Sequence, residues 1–166
     1  MSRSGDGLRE IRYPCRRRLP PEIGAFLHDT GLPRKVITIF EAAPGIGKRS
    51  AVFEDHEIGG ITLGLSREQD EIFLDFESGR VWLLVSWGSN EPVLVNESLR
   101  AFVESLILVD SMYPFYPPDR DLDIAERAED ALRCALEGID DASTADPDGF
   151  WSTFLDDVGN GDYAGS

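Results

Sequence analysis

Cysteine is scarce in this chain: Cys15 and Cys134 are the only two in 166 residues, and no Cys-x-x-Cys spacing occurs. Two thiols do not make a disulfide framework. Long apolar runs are missing as well. The longest, Val81 to Val85, is far too short to span a membrane. The first residues carry charge with no apolar stretch behind them, so no signal peptide is expected. A cytoplasmic protein with free thiols is the expectation. Positive charge is in short supply: 16 Lys+Arg stand against 31 Asp+Glu, a net charge of −15. Such a chain repels phosphate backbones and anionic membranes, which argues against both as partners. It attracts and steers a basic partner.

The charge is also unevenly spread. Residues 119–166 hold 14 acids and 3 bases, whereas residues 1–18 hold six Arg against Asp6 and Glu10. The expected organisation is a basic N-terminal arm over 1–18 and a single domain over 19–163. With 42% hydrophobic residues, nine Phe and three Trp, that domain has ample material for a core.

Local patterns predict the order of elements. Pro20 and Pro21 open a helix whose stripe is Ile23, Phe26 and Leu27, and Gly31 ends it. Strands are expected at Val36–Phe40, Ala51–Glu54, Glu57–Leu65, Glu71–Phe76 and Arg80–Trp87. Gly59-Gly60 marks a bend or bulge, and Glu77-Ser78-Gly79 a hairpin loop. Apolar residues on both faces of the last strand predict a central position. Asn96 is read as the cap of a helix carrying Leu99, Phe102, Val103 and Leu106. The Pro-rich stretch Tyr113–Pro118 breaks it. A helix over Leu122–Glu137 follows, with Ile124, Ala128, Ala131, Leu132 and Ala135 inward. Asp146 and Pro147 start the last helix, with Phe150, Trp151, Phe154, Leu155 and Val158 as its stripe. The fold class is therefore α+β: an N-terminal helix, a central, mostly antiparallel sheet (a meander), and C-terminal helices packed on it.

Chemistry-bearing motifs are weak. Ala43–Ser50 imitates a phosphate loop, but Ala42 stands where Gly is needed and Arg49 where Ser or Thr is needed. Glu54-Asp55-His56-Glu57 is the one acid–histidine cluster, and four consecutive residues rarely converge on a metal or a substrate. No Gly-x-Ser-x-Gly elbow is present. The adjacent acids Asp140-Asp141 and Asp156-Asp157 read as solvated. No catalytic, cofactor or metal site is expected. The candidates are partner contacts instead: Glu54, Asp55 and Glu57 in the acidic turn, Glu77 on the hairpin, and Tyr113 and Tyr116 in the Pro-rich loop.

Four stretches in series carry a resemblance. They are Leu19-Pro20 through Phe26-Leu27 to Gly31-Leu32-Pro33; Leu63-Gly64-Leu65 with Phe73-Leu74-Asp75 and Gly79-Arg80-Val81; Val95–Leu99 leading to Phe102; and Ile139-Asp140 through Phe150-Trp151 to Gly161-Asp162-Tyr163. In this order they resemble the SUKH superfamily of immunity proteins, most nearly its fourth family, SUKH-4. The resemblance implies a non-catalytic inhibitor from a bacterial polymorphic-toxin system. Its partner would be a cognate toxin domain, of nuclease or nucleic-acid deaminase type. A basic nucleic-acid cleft on such a toxin agrees with the acidity of this chain. The alternatives are a regulatory adaptor for a cellular protein, or an unrecognised hydrolase or nucleotide-binding enzyme.

Overall fold

The computed structural model describes the backbone of residues 8–9, 20–42, 48–53, 56–85 and 91–164, and the side chains of 20–42, 59–85 and 91–164. Strand β1 (Leu8–Arg9) pairs antiparallel with β2 (Leu32–Pro33). Between them in sequence lies α1 (Pro21–Asp29), with Pro at its first position and Leu27 buried. Gly31 takes φ +72°, which L side chains resist, and its N–H closes the helix on the Phe26 carbonyl.

The expected strand Val36–Phe40 is two strands. A tight turn at residues 37–39 separates β3 (Lys35–Val36) from β4 (Phe40–Ala42), and Ile37 adopts φ +47°. A β-branched residue is rare in that region, so periodicity gave no warning of the turn. Strand β6 (His56–Ser66) is the spine of the sheet. One of its edges carries both β5 (Lys48–Phe53) and β4, and the other carries β7 (Glu71–Asp75). Its bulge lies between Thr62 and Gly64, past the expected Gly59-Gly60. A β-carbon at Gly60 would run into the Leu74 carbonyl and the Phe73 ring, so this glycine permits the close approach of β7.

The expected hairpin joins β7 to β8 (Val81–Leu84). The Asp75 carboxylate shapes the turn by accepting from the Glu77 N–H at 2.9 Å and the Ser78 hydroxyl at 2.5 Å, and Gly79 takes φ +73°. β8 is interior, as expected, because β9 (Val93–Asn96) pairs on its far side. β9 is an additional strand, and Asn96 is not the helix cap expected of it. In the structure Asn96 ends the strand with its side chain buried, and Ser98 caps α2 (Leu99–Met112) by accepting from the Ala101 N–H at 3.1 Å.

Asp121 caps α3 (Leu122–Ile139). Its fully buried residues are Ala125, Leu132 and Leu136, while Ile124 is 37% exposed and Ala131 exposed. Leu132 is common to both faces, and the inner face is rotated from the expected one toward Leu136, which buries more area than the alanines it displaces. A short 3-10 helix (Asp141–Thr144) follows. Helix α4 (Phe150–Gly159) starts later than Asp146. Asp146 instead caps a turn, accepting from the Asp148 N–H at 3.0 Å. The helices supply Phe102, Leu106, Leu132, Trp151 and Leu155 to one core with Ile61, Leu63, Ile72 and Val81 of the sheet.

One polar network crosses that core. The Trp151 indole N–H donates to Asn96 Oδ1 at 2.9 Å, and Asn96 Nδ2 donates to Asp140 Oδ2 at 2.9 Å. The Glu97 N–H donates to the same Asp140 oxygen at 2.9 Å. Asp140 is 8% exposed, so the expectation of a solvated acid pair fails at this member. Its charge has two donors, which offset the cost of burial. Trp151→Phe and Asn96→Ala are each expected to cost about 1–3 kcal/mol, because each strands a buried partner. Urea melts of the two single variants and the double variant check this: the double variant should lose less than the sum, and strict additivity would show that the residues do not act together.

Candidate functional site

The turn that follows β6 is built by short-range bonds. The Ser66 N–H donates to the Asp70 carbonyl at 2.8 Å, the Asp70 N–H donates to Ser66 Oγ at 3.2 Å, and Gln69 takes φ +65°. This geometry holds Arg67 and Glu68 at the tip, exposed. Across from them lie the segment Asp148-Gly149 and the first turns of α4. Between the two sides is a cleft of about 130 Å³. Its apolar walls are Ile39, Leu83, Phe150 and Phe154, and its polar lining includes Arg67, Asp148, Thr153 and Asp157.

Arg67 Nη1 donates to Asp157 Oδ2 at 3.2 Å, and both residues line the cleft. The Tyr163 hydroxyl and then Asp157 raise the Arg67 pKa, so the guanidinium stays charged. Burial pushes the Asp157 carboxyl above the ordinary carboxylate range. Arg67 opposes this, while the nearby charges of Asp162, Asp156 and Glu68 reinforce it.

The aromatic floor is fixed from behind. Trp151 stacks edge-on against Phe150 at 5.0 Å and Phe154 at 6.0 Å. Phe154 meets Tyr163 at 5.2 Å and Phe115 at 5.9 Å. Tyr116 closes the group: its hydroxyl donates to the Val158 carbonyl at 3.0 Å and accepts from the Tyr163 N–H at 3.0 Å. Burial raises its pKa.

A second feature is electrostatic. The outer side of α3 and the 3-10 helix exposes Asp123, Glu126, Asp130, Glu137 and Asp141, with Arg127 also exposed among them. Glu129 is tied to Arg133 at 2.8 Å. Cys134 lies among these acids as an exposed free thiol. Among the described residues, no group of three or more His, Cys, Asp or Glu side chains converges to hold a metal ion. No described helix is long and apolar enough to cross a membrane.

Comparison with known proteins places this architecture. The family model described as SUKH-4 immunity protein matches residues 16–157. The chain belongs to the SUKH-4 immunity protein family. No curated protein and no solved structure matches it. An immunity role follows from membership, and with it a cognate toxin as binding partner. The match takes in the helix, the sheet and α2 through most of α4.

The partner contacts expected for this SUKH-4 protein scatter. Glu54 and Asp55 lie outside the described residues. Glu57 falls in β6, where only the backbone is described. Glu77 is exposed at the tip of the β7–β8 hairpin. Tyr113 is 38% exposed at the end of α2. Tyr116 is a correction: at 4% exposure, with its hydroxyl committed to two backbone partners, it belongs to the core and has no face for a partner. The Pro-rich loop folds onto Phe154 and Tyr163 because burying Phe115 and Tyr116 outweighs presenting them. The cleft went unseen in the sequence, since its two walls lie far apart in the chain.

Asp157 gives a pH test. Its folded pKa is raised, so ionising it costs more in the folded chain than in the unfolded one. That cost is absent below the unfolded pKa, grows as pH rises from the unfolded value to the folded one, and is complete above it. Asp157→Asn should therefore be at least as stable as the wild type at neutral pH, with an advantage that shrinks as pH falls toward about 4. Urea melts across that range check it. A variant less stable at every pH would show that the Arg67 bond outweighs desolvation.

Proposed function

We propose that this SUKH-4 protein neutralises its toxin by forming a tight stoichiometric complex that covers the toxin's active site or substrate path, with no reaction of its own. The observation that carries the reading is the family match over residues 16–157. The net charge of −15 supports a basic partner, and a toxin that acts on nucleic acid presents such a surface. A nuclease or nucleic-acid deaminase domain of a bacterial polymorphic-toxin system is the partner type proposed, met in the cytoplasm. Complementary charge speeds the encounter, and buried side chains at the contact slow release. Residues 19–163 act as one binding unit, which the basic arm 1–18 meets where Leu8–Arg9 pairs with Leu32–Pro33. Glu54, Asp55, Glu57, Glu77 and Tyr113 remain proposed contacts, joined by the exposed acids of α3.

Co-expression tests this directly. Cells that make the toxin domain encoded beside this chain should die, and survive when the chain is made with it. If both proteins accumulate and growth is not restored, the reading is wrong for that pair. For the purified pair, the association rate should fall by about tenfold or more between low and high salt. A rate indifferent to salt would remove charge steering from the mechanism.

A further inference from the structure

The cleft beside α4 has features that a merely solvated groove does not need. Its size is that of one side chain: a dry cavity of about 150 Å³ holds a benzene molecule, and this cleft measures about 130 Å³. A nucleotide or a peptide strand is too large to be enclosed by it. Phe150 offers a half-buried ring to the cleft, Phe154 lies buried just beneath, and both are braced by the buried Trp151. Such a floor is preorganised and costs little to engage. Its polar part is strongly one-signed: Glu68, Asp70, Asp148 and Asp157 line it against a single base, Arg67. These carboxylates do not converge as a metal site does. They are spread around an aromatic floor.

That combination selects among occupants. An anionic group is repelled. A neutral aromatic side chain fills the floor and leaves the carboxylates without a new partner. A lysine brings a compact, strongly hydrated point charge. An arginine lays its methylenes and flat guanidinium against the half-buried Phe150 ring and presents a fork of donors to the carboxylates. Asp148 is exposed and lines the cleft, within reach of such a group. Asp157 is partly desolvated, and Arg67 offsets that only in part, so a second cation gains there.

We propose that this cleft is the anchor pocket of the toxin interface and that it takes one arginine side chain of the toxin. The proposal rests on the reading that the chain binds a toxin, and it names the place and the chemistry of the central contact. The incoming guanidinium shares Asp157 with Arg67 and takes Asp148 as its second partner.

The probe is N-acetyl-arginine amide, titrated into the isotope-labelled full chain and followed by amide chemical shifts. Saturable shifts at Gly149, Thr153 and the Arg67–Gln69 turn are expected. The uncharged N-acetyl-citrulline amide should move none of them. Asp148→Asn should weaken arginine binding by about tenfold, the loss of one charged hydrogen-bond partner. Thr153→Trp, at an exposed helix position, fills the cleft and should abolish the shifts with an unchanged melting curve. Equal shifts with citrulline, shifts spread along α3, or no shifts overturn the proposal. Co-expression separates this failure from the broader one. Undiminished rescue by Thr153→Trp overturns the pocket and leaves toxin binding in place. Absence of rescue by the wild type overturns toxin binding itself.

Discussion

Asn96 is an amide with no exposure to water, placed where the last strand meets the ends of two helices. Burying it unbonded would cost more than most single contacts return. Its oxygen therefore takes the Trp151 indole N–H, and its nitrogen donates to Asp140. Each of these groups is buried on condition that the others are in place. β9, the end of α3 and the first turn of α4 consequently have one mutual arrangement that satisfies all three, which is how a small polar network specifies a packing that apolar contacts alone leave degenerate.

The functional surface inherits its shape from that constraint. Trp151 is both the donor to Asn96 and the ring against which Phe150 and Phe154 stand. Those two rings form the aromatic wall of the cleft, so the cleft is fixed by the network behind it. On the opposite side, the Ser66–Asp70 turn holds Arg67 where it reaches Asp157. The outward side of α3 has no such duty and is free to carry acids. A rigid pocket and a charged, solvated helix face suit an interface in which charge guides approach and a few anchored groups set residence time.

Much of the architecture was legible from neighbouring residues. Pro20-Pro21 and Gly31 bracket α1, and Gly79 marks the β7–β8 hairpin, because each rests on a backbone preference of one or two residues. The stripes of α2 and α4 were legible for the same reason. Where competing local signals existed, local reading failed. Asn96 and Ser98 are both good caps, and only the pairing of Val93–Asn96 with β8 decides between them. Tyr116 sits among prolines that usually mark exposed loops, yet its hydroxyl partners lie more than forty residues ahead. Of the proposed contacts, Glu77 and Tyr113 lie on the surface, and the cleft escaped notice altogether.

What the sequence determined by itself is whatever depends on composition or on residues a few positions apart: the acidity, the α+β order of elements, the helix stripes and the serial pattern shared with the family. Only the tertiary structure decided that Asp140 is buried while Asp141 is exposed, that Tyr116 faces inward, and that Arg67 meets Asp157. The reason is physical. Desolvation and its compensation depend on partners brought together across the fold, 44 residues apart for Asn96 and Asp140 and 90 for Arg67 and Asp157. No local pattern encodes which distant donor will arrive.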